Sequence, residues 1–173
     1  MIETTTRPLI ELRSATPADI PHILAFIREL AEYEKLAHEA VATAEDMTEQ
    51  LFGPQPAAEV VMAEVDGQPA GFALFFHNFS TFKGQRGLYL EDLFVRPQYR
   101  GLGLGTQLMM HLAQLAVARG CGRFEWSVLD WNTPAIRFYR SLGAVGLEEW
   151  TVQRVTDDAL QALAHGTGVT STD

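Results

Sequence analysis

Apolar residues recur along this chain in two spacings, one typical of strands and one typical of helices. Residues 9–15 alternate as a strand does, and from Ile20 to Leu30 the apolar positions recur every three or four residues. Thr16, Pro17 and Asp19 stand between them as an N-cap, a first-turn proline and the acidic partner of a capping box. The pattern therefore predicts a strand and then an amphipathic helix.

The same reasoning extends to the rest of the chain. We predict a helix at 43–53, strands at 59–65, 70–76, 87–95 and 123–129, helices from 104 and at 132–143, a last strand at 149–155 and a helical turn at 157–164. This order is that of an α/β sandwich with a mixed sheet. Because we find no repeat and no linker, we expect a single domain over 1–165 and a disordered polar tail at 166–173.

The composition of the chain limits which partners and which cellular compartment we expect. The formal net charge is −9, which disfavours binding to nucleic acid or to an anionic membrane and favours a cationic partner. The sole cysteine, Cys121, excludes an internal disulfide and fits a reducing compartment. With no apolar run of membrane-spanning length and no signal-like N-terminus, we expect a cytoplasmic protein.

A glycine-rich turn separates the strand at 87–95 from the following helix. Glycine at 101, 103 and 105 would let backbone N–H groups approach a ligand, and a helix N-terminus attracts anions. The dinucleotide fingerprint fails because Thr106 occupies its third glycine position, and the Walker phosphate loop lacks its Gly-Lys-Ser/Thr. Two interpretations stay open: an anion site, or a turn whose glycines only relieve strain.

Four blocks, 29–36, 88–105, 128–144 and 148–150, make the chain resemble the GNAT superfamily of acetyltransferases. The resemblance runs from about Leu12 to Val155 and includes the pattern Arg100-x-x-Gly103-x-Gly105. Within the superfamily the chain is similar to the diamine (spermidine/spermine) and thialysine N-acetyltransferases. The resemblance implies a mixed, mostly antiparallel central sheet flanked by helices, acetyl-CoA as cosubstrate, a small-molecule amine as substrate and a homodimer.

The resemblance also assigns cofactor-binding residues. It implies that the backbone of Leu93, Phe94 and Val95 binds the acetyl and pantetheine groups, whereas their side chains are core residues. The turn implied to hold the pyrophosphate comprises Arg100, Gly101, Leu102, Gly103, Leu104, Gly105 and Thr106. The segment implied to hold the pantetheine arm comprises Asn132, Thr133, Pro134 and Ala135, where helix capping is the alternative.

Two catalytic groups follow from the resemblance. Tyr139 occupies the position of the general acid, and the resemblance also implies that it contacts the cofactor. The alternative interpretation is that Tyr139 is a half-buried packing residue. A phenol can protonate a departing thiolate because their pKa values differ by only about one to two units. An ideal strand offers only one of the two successive side chains Glu91 and Asp92 to a pocket. The resemblance assigns Glu91 to the substrate amine, so we prefer Glu91 to Asp92. The alternative for this pair is a structural anchor at a bulge.

Other substrate contacts are implied at the helix end, at a strand and near the C-terminus: Tyr33, Glu34, Asp92, Glu125, Trp126, Ser127 and Glu149, the last paired with Trp150. The hairpin region 77–87 lacks an acidic residue that polyamine enzymes carry there, which disfavours a long polycation such as spermine. The segment 128–132 is similar to the thialysine branch. The five histidines show no metal-ligand spacing, and we predict no metal site.

The function expected from these residues is transfer of acetyl from acetyl-CoA to a primary amine of a small cationic molecule. We expect direct attack in a ternary complex, because Cys121 lies at a helix-to-strand turn away from the motif residues. Acetylation of a protein lysine or N-terminus is the enzymatic alternative. A non-catalytic acetyl-CoA-binding module is the alternative from another class.

Overall fold

Five strands form one sheet in the computed structural model, which describes residues 7–167. In their order across the sheet they are β1 (Ile10–Ser14), β2 (Glu59–Val65), β3 (Gln68–Ser80), β4 (Gln85–Val95) and β5 (Phe124–Trp126). Neighbouring strands are antiparallel except β4 and β5, which run parallel. The predicted mixed and mostly antiparallel sheet is confirmed.

Three helices accompany the sheet in a compact unit that extends to Ser127. They are α1 (Ile20–Tyr33), α2 (Ala44–Phe52) and α3 (Leu104–Ala118). Both predicted capping boxes are confirmed: Thr43 with Asp46 caps α2, and Thr16 with Asp19 caps a 3-10 turn, Pro17–Asp19, that leads into α1. These caps use backbone N–H groups that have no partner inside a helix.

Hydrophobic residues fill both faces of this sheet. On one face, Phe26 of α1 stacks on Phe72 of β3 at 5.4 Å and lies 6.2 Å from Phe94 of β4. On the other, α3 packs against β4 and fully buries Leu108 and Leu112. Each buried side chain of this size contributes about 2 kcal/mol relative to exposure. The sheet is thereby fixed firmly enough to position polar groups at its ends.

A second compact unit begins at Val128 and contains α4 (Thr133–Ser141) and α5 (Asp157–Ala164). The strand predicted at 149–155 is wrong, because no strand occurs among residues 128–167. Its side chains are exposed at Trp150, Val152 and Val155 alike. A strand needs a neighbouring strand for its N–H and C=O groups, and α4 and α5 offer none.

Two further boundaries differ from the expectations. β5 has only the residues Phe124–Trp126 of the strand predicted at 123–129. In the tail predicted to be disordered, residues 168–173 lie outside the described part of the chain, while Gly166 takes a left-handed conformation after α5. Within 7–167, the helices are all too short or too polar to cross a lipid bilayer.

Candidate active site

The glycine turn before α3 presents open space and backbone donors. Gly101 and Gly103 both have φ of +81°, and apart from the glycine and its two chain neighbours no heavy atom of the described residues lies within 4 Å of where a Cβ would stand. Gly103 caps α3 with no side-chain hydrogen bond, and the first helical bond runs from Gln107 N–H to the carbonyl of Gly103. The preceding N–H groups of the helix therefore have no acceptor in it, as an anion site requires.

Arg100 joins this turn to its neighbours. Its Nε donates to the carbonyl of Val95 at 3.1 Å, and its guanidinium lies 5.6 Å from the ring centre of Tyr33. The turn that follows β4 is thus tied to the last residue of that strand and to the C-terminal end of α1.

One edge of β4 is left without a strand partner over its C-terminal half. Toward β3, the pairing extends to Val95, but toward β5 the ladder covers only Leu88–Leu90 among the residues described. The backbone of Leu93 and the N–H of Val95 on that edge are available to an extended ligand, as an open sheet edge is to an added strand, whereas the carbonyl of Val95 accepts from Arg100. The side chain of Phe94 is buried in the core.

A β-bulge lies where the predicted carboxylates stand. Leu74 of β3 pairs with Asp92 while Phe75 pairs with Leu90, so Glu91 is an extra residue in β4. Because of this insertion, Asp92 lies on the sheet face of Leu74, whereas Leu90 lies on the opposite face. The bulge that sequence analysis offered as an alternative is present, and it brings the two neighbouring carboxylates together.

Three acidic residues meet at this bulge. Burial, and after it the negative charges of Glu91 and Glu34, raise the pKa of Asp92 to about 6. Burial also raises the pKa of Glu34, which caps the C-terminus of α1, while Glu91 is exposed. Tyr33, the last residue of α1, precedes Glu34 in the chain, and its side chain is 42% exposed. The three side chains concentrate negative charge at the bulge, and the pKa of the Asp92 carboxyl group lies closer to neutral pH than that of an ordinary carboxyl group.

The predicted residues of β5 divide between the two faces of the sheet. Glu125 lies opposite Tyr89, and the hydroxyl of Tyr89 is 2.9 Å from Ser127 Oγ. Trp126 has the opposite orientation by strand alternation and contacts the ring of Phe124 at 4.9 Å. Glu125 and Ser127 therefore share a face with Asp92, and Trp126 does not.

Sequence analysis missed Arg123 and Asn78, which bind Glu125. Arg123 Nε is 2.6 Å from Glu125 Oε1, and Asn78 Nδ2 donates to the same oxygen at 3.1 Å. The alternation of Arg123, Glu125 and Ser127 could have indicated a polar face. No pattern in the sequence, however, points to Asn78, which is 47 residues from Glu125.

The remaining predicted residues belong to the second unit. Asn132 is 6% exposed and its Oδ1 accepts from Ala135 N–H at 3.3 Å, so it caps α4, which begins Thr133-Pro134. Tyr139 is partly buried, with its ring 5.3 Å from that of Phe138. Glu149 is exposed in the irregular segment before α5. Capping and packing are thus present at these positions, and their roles toward cofactor and substrate stay predictions.

Two other features lie apart from these groups. A cavity of about 180 Å³ is lined by residues of α2, β2 and α3, including Glu59, His111 and Arg119, and by none of the predicted site residues. In residues 7–167, no group of three or more His, Cys, Asp or Glu side chains is arranged to hold a metal ion.

Comparison with known proteins identifies the family of this chain. Residues 25–144 match the acetyltransferase (GNAT) family. The chain is 34% identical to L-ornithine N5-acetyltransferase of Arabidopsis thaliana, over 92% of this chain and 90% of that protein. It is 38% identical to thialysine N-epsilon-acetyltransferase of Mus musculus, over 88% of this chain and 96% of that protein.

A solved structure shares the fold as well. It is an integron cassette protein from the mobile metagenome of V. cholerae, with a TM-score of 0.76 and 30% identity over 90% of this chain and 97% of that chain. The family match covers more than half of the 173 residues, and named N-acetyltransferases align along nearly the whole chain. The chain therefore belongs to the GNAT acetyltransferase family and is an acetyltransferase enzyme.

Proposed function

We propose that this enzyme transfers acetyl from acetyl-CoA to a primary amine of a small cationic molecule, by direct attack in a ternary complex. The observation that carries the proposal is the acidic group at the β4 bulge, where Asp92 lies with Glu91 and Glu34. A concentration of carboxylates suits an ammonium group, and a carboxyl group with a pKa of about 6 suits its deprotonation.

The turn from Arg100 to Thr106 supports binding of acetyl-CoA, since the open space at Gly101 and Gly103 and the first N–H groups of α3, which have no acceptor within the helix, fit a pyrophosphate. The open edge of β4 offers N–H and C=O groups to the pantetheine arm. In the second unit, we assign the segment 132–135 to the same arm, on the strength of the family pattern. When bound, acetyl-CoA supplies the activated acetyl group as a thioester.

Asp92 and Glu91 have different roles toward the substrate amine in this proposal. Asp92 accepts the proton of the incoming ammonium group, because its pKa lies closer to neutrality than that of an ordinary carboxyl group. Glu91, exposed at the bulge, supplies a negative charge that attracts the cation. This assignment departs from the sequence-based preference for Glu91 as proton acceptor, and the physical reason is the burial of Asp92.

Tyr139 donates a proton to the leaving thiolate in this proposal. The lone cysteine supports direct attack: Cys121 follows the C-terminus of α3, and the glycine turn precedes its N-terminus. A helix of 15 residues at about 1.5 Å per residue separates them by roughly 20 Å. An acyl group on Cys121 would be far from the proposed cofactor turn.

The named relatives support a small amine as substrate, since one is named for ornithine and another for thialysine. We propose an amine of that size, handled by one domain over 1–165, in a cytoplasmic homodimer. The alternative substrates are protein amines, and the alternative function is that of a non-catalytic acetyl-CoA-binding module.

A thiol-release assay with acetyl-CoA tests the proposal. The substrates are ornithine, lysine, thialysine, putrescine, spermidine and a basic peptide, each with the wild type, Glu91→Gln and Tyr139→Phe. We expect turnover with the small amines, a kcat reduced about 10²-fold or more by Tyr139→Phe, and a KM raised by Glu91→Gln. Turnover with the peptide alone, or with no amine at all, would contradict it.

Binding of acetyl-CoA has its own matched pair of variants. Gly103 and Gly67 both have positive φ and open space beside them, so alanine strains each backbone by about 1–2 kcal/mol. Only Gly103→Ala places a methyl group in the proposed pyrophosphate site. Calorimetric titration should show affinity reduced about tenfold or more in Gly103→Ala and unchanged in Gly67→Ala. Equal affinities in the two variants would make the turn structural only.

A further inference from the structure

An ion pair joins the segment that follows β4 to helix α1. Arg96 comes directly after Val95, and its guanidinium binds Glu29 through two nitrogens: Nη2 donates to Oε1 at 2.8 Å and Nε to Oε2 at 3.1 Å. Arg96 Nη1 also donates to the carbonyl of Pro69 at 3.3 Å. The side chains of Arg96 and Glu29 are 22% and 36% exposed. A half-buried pair bonded through two nitrogens is stronger than an exposed pair with a single contact.

The ion pair belongs to a row of contacts along one face of α1. Phe26, Glu29 and Tyr33 are three and four residues apart and therefore share a face of the helix. The ring centre of Phe26 lies 4.7 Å from the guanidinium carbon of Arg96, and that of Tyr33 lies 5.6 Å from the guanidinium carbon of Arg100. The chain after β4 therefore runs along α1 toward the C-terminal end of the helix.

This row ends where the elements of the candidate site meet. Glu34 directly follows Tyr33, and its negative charge contributes to the raised pKa of Asp92. Asp92 belongs to β4 and the glycine turn follows Arg100, whereas Glu34 belongs to the end of α1. The position of Glu34 relative to Asp92 therefore depends on how firmly α1 is held against the segment that follows β4.

Apolar packing holds the first half of α1 more firmly than the second. The buried residues of the helix all lie in its first half: Ile20, Ile23, Leu24 and Phe26. The apolar residues of the second half that face the core, Ile27 and Leu30, are only partly buried. Because less apolar area there is removed from water, the ion pair of Arg96 with Glu29 has a larger share in holding the second half.

We propose that Arg96 is a positioning residue for the amine site: through Glu29 it holds the C-terminal end of α1, with Tyr33 and Glu34, at the bulge of β4. Arg96 keeps its bonds to Glu29 throughout and touches neither substrate. The proposal rests on the proposed function and deepens it, because it makes the affinity for the amine depend on a contact outside the acidic group.

The test is a double-mutant cycle in the thiol-release assay, with ornithine and with putrescine as the amine. Arg96→Gln and Glu29→Gln should each raise KM for the amine about fivefold or more, with kcat changed less than about threefold. The double variant should raise KM no further than either single variant, because all three lack the same contact. Arg96→Lys should keep part of the affinity, since it retains the charge but not the paired bonds.

The signs of these effects separate positioning from a simple effect of charge. A cationic amine is repelled by Arg96 and attracted by Glu29 over a distance, so charge alone predicts a lower KM in Arg96→Gln and a higher KM in Glu29→Gln. Positioning predicts a higher KM in both. Opposite signs, or effects that multiply in the double variant, would overturn the proposal.

Arg119→Gln is the matched control, because Arg119 makes the same kind of contact elsewhere. It binds Glu59 through two nitrogens at 2.6 and 2.9 Å and lies 5.8 Å from the ring centre of Phe75. Its side chain is 30% exposed, close to the value for Arg96. Arg119→Gln should therefore destabilise the fold to a similar degree and leave KM unchanged. An equally raised KM in this variant would show general loosening of the fold and overturn the proposal.

Amide hydrogen exchange tests the positioning without any turnover. Arg96→Gln should speed exchange of the N–H groups of residues 30–34 about tenfold or more, whereas Arg119→Gln should leave these rates unchanged. Unchanged exchange at 30–34 in Arg96→Gln would overturn the proposal. Faster exchange there, in an enzyme that turns over no amine, would support the role of Arg96 at α1 and contradict the proposed function alone.

Discussion

Asp19 precedes the N-terminal end of α1, and Asp92 of β4 interacts with Glu34 at the C-terminal end of that helix; the two aspartates have opposite electrostatic surroundings. Asp19, just before the helix, is 4% exposed and accepts hydrogen bonds from Arg13 at 2.7 and 2.8 Å and from Thr16 N–H at 2.7 Å. Arg13 holds the pKa of Asp19 down to about 2. The positive end of the helix dipole favours the same charge.

At the other end of α1 the charges are not compensated. Asp92 lies among the carboxylates of Glu91 and Glu34, and its pKa rises to about 6 through burial first and these charges second. Glu34 caps the C-terminal end of the helix, where the dipole disfavours an anion. An ionised Asp92 without a neighbouring cation destabilises the fold. The ammonium group of a bound substrate would remove this destabilisation. The comparison therefore indicates a structural role for Asp19, and under the proposed function the chemical role belongs to Asp92.

The largest expected difference is in catalysis. Asp92→Asn should lower kcat/KM by about 10²–10⁴-fold, because the proton acceptor is lost, whereas Asp19→Asn should change kcat less than about threefold where the protein is folded. The thiol-release assay at saturating acetyl-CoA measures both. Similar kcat values in the two variants would break the comparison and remove Asp92 from the mechanism.

Stability should show the reverse order at pH 7. Asp19→Asn leaves Arg13 and Thr16 with a weaker acceptor and should cost about 2–3 kcal/mol, while Asp92→Asn should stabilise the fold by about 1 kcal/mol. Urea unfolding followed by circular dichroism measures both free energies. Glu11→Gln, on exposed β1 surface near Arg13 in the chain, serves as the control for simple loss of a carboxylate. Destabilisation by both aspartate variants would make Asp92 a structural anchor.

The pH dependence separates the two aspartates by sign. The pKa of Asp19 is lowered from 3.8 to about 2, so its contribution of about 2 kcal/mol is complete above pH 4 and is lost as pH falls through 2. The pKa of Asp92 is raised from 3.8 to about 6, so stability is highest below pH 4 and falls as pH rises through 6. The stabilisation by Asp92→Asn should therefore grow between pH 4 and pH 8, and a constant difference would contradict it.

The smallest effect concerns the neighbour Glu34. Glu34→Gln removes one negative charge near Asp92 and should move the acidic limb of the kcat/KM profile to lower pH, by about half a pH unit or less. Glu32→Gln, an exposed position on the same helix, should leave the profile unchanged. A profile that moves equally in both variants would show a general charge effect rather than a local one.

Local sequence determined most of the secondary structure. The spacing of Ile20, Ile23 and Leu24 and the capping residues Thr16 and Thr43 specify helices through contacts within a few residues of each other. The glycines at 101 and 103 likewise take the left-handed conformation that their residue type permits. By contrast, the strand predicted at 149–155 failed, because strand formation depends on a partner distant in sequence.

Tertiary structure alone decided the candidate site. The carboxylates at 91 and 92 are visible in the sequence, but an ideal alternation would send them to opposite faces. Only the pairing of β4 with β3 shows the extra residue at Glu91 that brings Asp92 to the face of Glu125, and only the fold places Glu34 beside it. Likewise, the bond between Asn78 and Glu125 joins residues on strands that are not adjacent in the chain. Periodicity records which residues are buried locally, whereas the pKa of Asp92 depends on charges that only folding brings together.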